Sequence, residues 1–205
     1  MTPLQVLLAA FAAWLVWDLL SYVRSGTIRR HATVFLGRSW VQWVAAVSGG
    51  LAAFVVVAIV ALSLVALWPA GFGFTWLRLL ATPADGPVEG VNLMVAPATI
   101  PWFGFAFLAL LMFNVPRLAR LEEDVFRRGT RGWRDGCLRS VKFGLAHCLI
   151  GVPIGWGLAL SVGGLWFTWH YFRGGVRRAW FYHVIYNLML LTILGVWLAV
   201  MAANA

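Results

Sequence analysis

The sequence predicts an all-α, polytopic membrane helix bundle of about six transmembrane helices. Three observations carry that prediction. The 205 residues are 62% hydrophobic and only 11% charged. Mean hydropathy is +0.84, too apolar for a soluble domain of this size to bury, so lipid must solvate much of the chain. The third is the placement of cations: fifteen of sixteen Lys and Arg fall in 24–38, 117–142 and 173–178.

Candidate spans run at roughly 3–23, 41–68, 99–115, 141–152, 154–172 and 180–202. A spanning helix needs about 20 residues. The first segment, PLQVLLAAFAAWLVWDLLSYV, has no positive n-region, and a basic loop follows its long apolar run. It reads as a retained helix rather than a signal peptide. Between the second and the third lies a Pro- and Gly-rich loop, 69–98, with the one outlying cation, Arg78. The fourth is too short to span alone and is expected to begin further upstream or to turn at Pro153. No repeat, low-complexity tract or separate soluble domain interrupts this order, so residues 1–205 form a single integral membrane domain.

With six spans, the three basic segments share one side. The positive-inside rule makes that side cytoplasmic and both termini external, and the expected location is the inner membrane of a bacterium. The net charge of +9 then reads as topology and attraction to membrane lipids. Nucleic acid is not an expected partner, because the arginines are spread over interhelical loops. Trp40, Trp43, Trp68, Trp102 and Trp180 lie near span ends, where an interfacial belt is expected. Cys137 and Cys148 are expected as free thiols.

Ionisable groups inside apolar helices are costly and mark function by default. Three of the seven carboxylates, Glu122, Glu123 and Asp124, are consecutive in LEEDVFRRGT. On a helix, Glu123 and Arg127 form an i, i+4 pair in the favourable order. Glu122 is turned about 100° away, toward Val125 and Phe126. A carboxylate in apolar surroundings has a raised pKa and is a better base. The alternative is a solvated interfacial cluster in which acids neutralise arginines, and these ten residues do not decide between them. Further on, FGLAH places Phe143 and His147 four apart, and HVIYN places His183 and Asn187 four apart. Each pair shares a helix face. Two His and one Glu are also a possible zinc set, although no H-E-x-x-H is present. His31 and His170 match no motif and are expected to be interfacial or packing residues. Asp18 is expected to be structural. Gly151 and Gly155 read as close packing interrupted by Pro153.

The ordered set E-E-x3-R, F-x3-H and H-x3-N, over about 115–192, resembles the CAAX-protease and bacteriocin-processing (CPBP, or Abi) family. These are intramembrane glutamic proteases related to the type II CAAX prenyl endopeptidase. The connecting GWGLALSVGGLWFTWHYFRGG is similar to the family's Gly-rich helix before the last motif. The resemblance implies that Glu122 and His147 activate water and that His183 and Asn187 stabilise the oxyanion. Glu123, Arg127 and Phe143 are accessory. It implies neither metal nor cofactor, and a hydrophobic or lipid-tethered peptide substrate entering near the cytoplasmic face. The link 128–142, RGTRGWRDGCLRSVK, departs from the family in being short and basic. The alternative function is therefore a catalytically silent member, an immunity protein or an accessory subunit of a larger membrane complex, with loop 69–98 as the surface for a protein partner.

Overall fold

Two long helices begin with the same device. Thr2 and Ser39 each accept a hydrogen bond from the backbone three residues on, while Gln5 and Gln42 reach back to the cap. These reciprocal capping boxes satisfy backbone donors that a helix start otherwise leaves open. The computed structural model describes residues 2–80 and 101–203, and among these there is no strand. In order the chain forms α1 (Pro3–Arg24), α2 (Thr27–Leu36), α3 (Trp40–Leu67), the single turn α4 (Pro69–Phe72), α5 (Pro101–Phe126), α6 (Trp133–Ala146) and α7 (Ile154–Ala203). Short 3-10 turns occupy Trp76–Leu79 and His147–Ile150.

Three of these segments are long and apolar enough to cross a membrane: Pro3–Arg24, Trp40–Leu67 and Ile154–Val200. Few of their residues are buried against protein. On α3, Val44, Val47, Leu51, Val55, Ile59 and Leu62 are all exposed. A helix apolar on every face requires an apolar environment on every face.

The 50-residue α7 is two helices. Gly174 is extended (φ −176°), and Gly175 is left-handed (φ 65°, ψ −169°). The chain doubles back there, because Trp166 and His170 meet Tyr182 while Phe167 meets His183. The expected spans at 154–172 and 180–202 are thus the two arms of a helical hairpin. The Gly175 conformation is essentially reserved for glycine, and a side chain there costs about 1–3 kcal/mol. Gly175→Ala is expected to lose about that much in thermal or denaturant unfolding. Gly132→Ala is the control. Its backbone is extended (φ −178°) and its Cβ would meet nothing within 4 Å, so a change within about ±0.5 kcal/mol is expected.

Pair contacts fix the relative directions of the helices. α1 and α5 run parallel, since Phe11 meets Phe107, Leu15 O accepts from Asn114 Nδ2, and Asp18 pairs with Arg117 at 2.9 Å. The second arm of α7 is antiparallel to α5, with His183 at Glu123 and Gly195 against Leu108. α3 is antiparallel to the first arm, Gly49 lying by Trp166 and Gly155 by Val65. α6 is also antiparallel to that arm, through Gly144 with Gly157 and Ser140 with Thr168. The three basic segments therefore share one end of the bundle, where His31 packs on Trp180, Arg38 covers Phe181 and Gly129 N–H donates to Tyr171 Oη.

Several local expectations are refined. Residues 117–126 do not leave the third helix but continue it, so the acidic triplet is helical. The short fourth segment begins upstream at Trp133 and ends in the 3-10 turn before Pro153. Its 14 α-helical residues rise ~21 Å, less than the ~30 Å hydrocarbon thickness. Gly151 lies in a left-handed turn (φ 88°) against Leu77 and Gly155 against Phe72, so this glycine pair serves two separate contacts. The close helix crossing is elsewhere: a Cβ on Gly144 would strike the Gly157 carbonyl and Ser161.

Trp40, Trp43 and Trp68 are exposed, but Trp180 is only 1% exposed and donates its indole N–H to the Pro116 carbonyl at 2.7 Å. It belongs to the core, not to a belt. Asp18 is buried by its pairing with Arg117. His31 bonds Tyr22 Oη through Nδ1 at 2.7 Å, and burial first, then Arg120 and Arg30, pushes its pKa down. His170 is buried, stacked on Tyr182. Both cysteines are free. Residues 81–98 of the 69–98 loop, and the first residues of the expected 99–115 span, lie outside the described residues.

Candidate functional site

The last two turns of α5 carry two faces of opposite purpose. Asp124 faces outward and takes Arg120 at 3.2 Å and Arg128 at 2.8 Å. These are exposed ion pairs of modest worth. Glu123 and Arg127 face inward, and both side chains are fully buried. The alternatives left open by the acidic triplet are thus both present, one residue apart.

Glu123 Oε1 lies 3.7 Å from Arg127 Nη1 and 2.8 Å from Nδ1 of His183. Arg127 Nη2 donates to the carbonyl of Gly164 at 3.2 Å, and its guanidinium lies 4.1 Å over the Phe143 ring. That ring face supplies attraction where no further acceptor reaches. The fully desolvated carboxylate is therefore Glu123, whereas 29% of the Glu122 side chain is exposed. The reason is the i, i+4 geometry. The face that carries Arg127 onto Gly164 carries Glu123 into the same wall, and Glu122 is left at its rim. Glu122 Oε2 is itself buried and lies 3.3 Å from His183 Nε2, close enough for ion pairing but without hydrogen-bond alignment.

His183 thus has a carboxylate at each nitrogen. An ionised carboxylate only accepts hydrogen bonds, so the short contact to Glu123 places a proton on Nδ1. The ring is stacked on Phe167, with centroids 4.1 Å apart and planes 19° from parallel. Phe143 meets it edge-on at 5.6 Å.

His147 caps α6. Its Nδ1 bonds the Phe143 carbonyl at 2.8 Å. A carbonyl also only accepts, so Nδ1 carries a proton and Nε2 is left without a partner from Phe143. Its ring meets the motif's phenylalanine edge-on at 4.7 Å. One phenyl group therefore touches both imidazoles. Contact with Glu122 is made by His183, and no direct contact joins Glu122 to His147. Asn187, one turn beyond His183, is half-buried, and its side chain makes no hydrogen bond to the described residues.

The basic link is structured. Thr130 Oγ1 bonds the Arg127 carbonyl at 2.7 Å. Asp135 bonds Arg139 at 2.8 Å, which holds its carboxyl below the usual range, helped by the Arg131 backbone N–H. These contacts turn the chain in six residues and return Phe143 to Arg127. Glu122, Glu123 and His183 thus meet beside Phe143 and Phe167, while His147 lies one turn past Phe143, at the end of α6 away from the basic link.

Two contributors lie outside the motifs. Gly164 supplies the carbonyl for Arg127, and Phe167 supplies the stacking face for His183. The one sequence signal for the first is the Gly163–Gly164 pair within a helix, where each glycine costs about 1 kcal/mol and calls for a packing reason. No pattern marked Phe167 among so many aromatics. No protein-family model matches the chain, and neither a curated protein nor a solved structure matches it.

Proposed function

We propose that this protein is an intramembrane glutamate-dependent endopeptidase of the CPBP type, acting on a hydrophobic or lipid-tethered peptide. One observation carries the reading: His183, from the last motif, sits between both glutamates of the first, with the Phe143–His147 motif packed against it. Three costly polar groups, distant in sequence, converge at one place.

The six helical segments alternate in direction as six spans require, and the basic end then faces the cytoplasm of a bacterial inner membrane. Glu122 is the one carboxylate of the inward group with solvent access. It takes a proton from water, and the resulting hydroxide adds to the scissile carbonyl. The C–N bond then breaks, and the proton passes to the leaving amine. His147 assists the water through Nε2. Asn187 donates to the oxyanion, and His183 Nε2 joins it when the ring carries a proton on both nitrogens and Nε2 yields its contact with Glu122 to substrate.

The test is cleavage of a quenched-fluorescent, single-span peptide by purified protein in proteoliposomes, with and without chelator. Cleavage unaffected by chelation supports the glutamate mechanism. Loss on chelation with recovery on adding zinc points instead to a metal enzyme.

A second reading is a catalytically silent immunity or accessory subunit. The free state favours it in one respect: His183 is engaged by carboxylates at both nitrogens and Asn187 is unengaged, so the oxyanion donors are not preset. Co-purification at fixed stoichiometry with other membrane subunits, without proteolysis, supports this reading. A monodisperse, proteolytic monomer contradicts it.

A further inference from the structure

We infer that Gly164 and Phe167, on the first arm of α7, are positioning residues that fix which nitrogen of His183 carries its proton and which faces Glu122. The inference deepens the peptidase reading and takes its consequence from it. Residues at i and i+3 share a helix face, so the two act on the site together.

Gly164 acts through Arg127. A Cβ at this position would stand 3.1 Å from Arg127 Nη2, 3.0 Å from Ser140 Cβ and 3.1 Å from Phe143 Cδ1. All three neighbours are buried and packed. Glycine leaves the guanidinium on the helix carbonyl at 3.2 Å with Nη1 3.7 Å from Glu123, whereas an alanine would force these packed neighbours, Arg127 Nη2 among them, to give by a few tenths of an ångström. The cation keeps Glu123 an acceptor, and Glu123 Oε1 then holds the Nδ1 proton of His183 at 2.8 Å.

Phe167 acts on the ring itself. Stacked at 4.1 Å, it blocks rotation of the imidazole out of its plane, while Phe143 stands edge-on beside it. A half-turn of the ring would exchange Nδ1 for a carbon, lose the ionic hydrogen bond and strand a buried carboxylate. With Nδ1 committed, Nε2 is the nitrogen free to gain or release a proton, and it stands 3.3 Å from Glu122. The relay runs Gly164 O, Arg127, Glu123, His183, Glu122, and none of the three motifs contains its first member or the stacking ring.

The experiment is nitrogen NMR of purified protein carrying ¹⁵N-histidine, in detergent micelles without substrate. His183 is assigned by the signal lost in His183→Gln. The wild type is expected to show a hydrogen-bonded Nδ1–H. Phe167→Tyr, which keeps the stacked ring, should retain that signature. Phe167→Leu and Gly164→Ala should lose it, through the ring and through Arg127 respectively. A wild-type His183 protonated on Nε2 alone overturns the inference. So does an unchanged signature in either disrupting variant, and Gly164→Ala decides the matter where Phe167→Leu does not fold. Since no substrate is used, an absent peptidase activity leaves this result readable and counts only against the functional proposal.

Discussion

Glu122→Gln is expected to lower kcat by ~10²–10⁴ in the proteoliposome assay, the range for losing a positioned general base. The amide has nearly the same shape but cannot take a proton from water. Glu122 is the member of the inward group that reaches solvent, with 29% of its side chain exposed. Removing its charge therefore leaves no buried cation unpaired, because Arg127 pairs with Glu123. Folding should survive, and unfolding of the variant should stay within about 1 kcal/mol of the wild type. Glu123→Gln should behave differently, since it removes the acceptor of a fully buried group and should reduce both stability and turnover. Equal cleavage by Glu122→Gln and wild type would remove the proposed mechanism.

The largest stability effect is expected at Arg127. Arg127→Met keeps a long side chain over Phe143 but deletes the cation beside a carboxylate with no exposed surface. Breaking one side of a buried pair typically costs about 3–5 kcal/mol, most of it the penalty of the stranded charge. Here His183 remains as a donor to Glu123, so the lower half of that range is expected. The double variant Arg127→Met with Glu123→Gln should recover much of the loss. Chemical denaturation in a defined detergent measures both. A single variant as stable as wild type would mean that Glu123 is not ionised in its burial site. A double variant no better than the single would mean that packing on Phe143 and Gly164, not charge, holds this region.

Much of the fold is legible in the chain because lipid imposes a coarse rule on it. Apolar runs of about 20 residues and clustered cations mark α1, α3 and the two arms of α7 without any knowledge of packing. The Gly174–Gly175 reversal falls between the two segments that hydropathy separates. Legibility fails where tertiary contacts decide. Trp180 has the position of a belt residue, yet its indole finds the Pro116 carbonyl, which a membrane-surface rule does not foresee. At the site, helical periodicity places Glu123 and Arg127 together, as found. It does not tell which side of α5 meets α7, so it assigns the apolar surroundings to Glu122, when the buried carboxylate is Glu123. The pairing of His183 with both glutamates spans 60 residues and follows from the hairpin's return, a contact no local pattern encodes. Gly164 and Phe167 escape for a related reason: a backbone carbonyl and a ring face have no sequence signature.

The central claim is that the first and last motifs meet at one place in the folded membrane protein. Paired cysteine cross-linking tests it most directly, with Glu122→Cys and His183→Cys in a background of Cys137→Ser and Cys148→Ala. In native membranes the double variant should form an intramolecular disulfide on mild oxidation, or bridge with a short bifunctional thiol reagent, and neither single variant should. A control pairing Leu67→Cys, exposed at the far end of α3, with His183→Cys should stay open. Absence of any bridge between positions 122 and 183, with both thiols alkylated freely from the aqueous side, would place the two motifs apart and contradict the account.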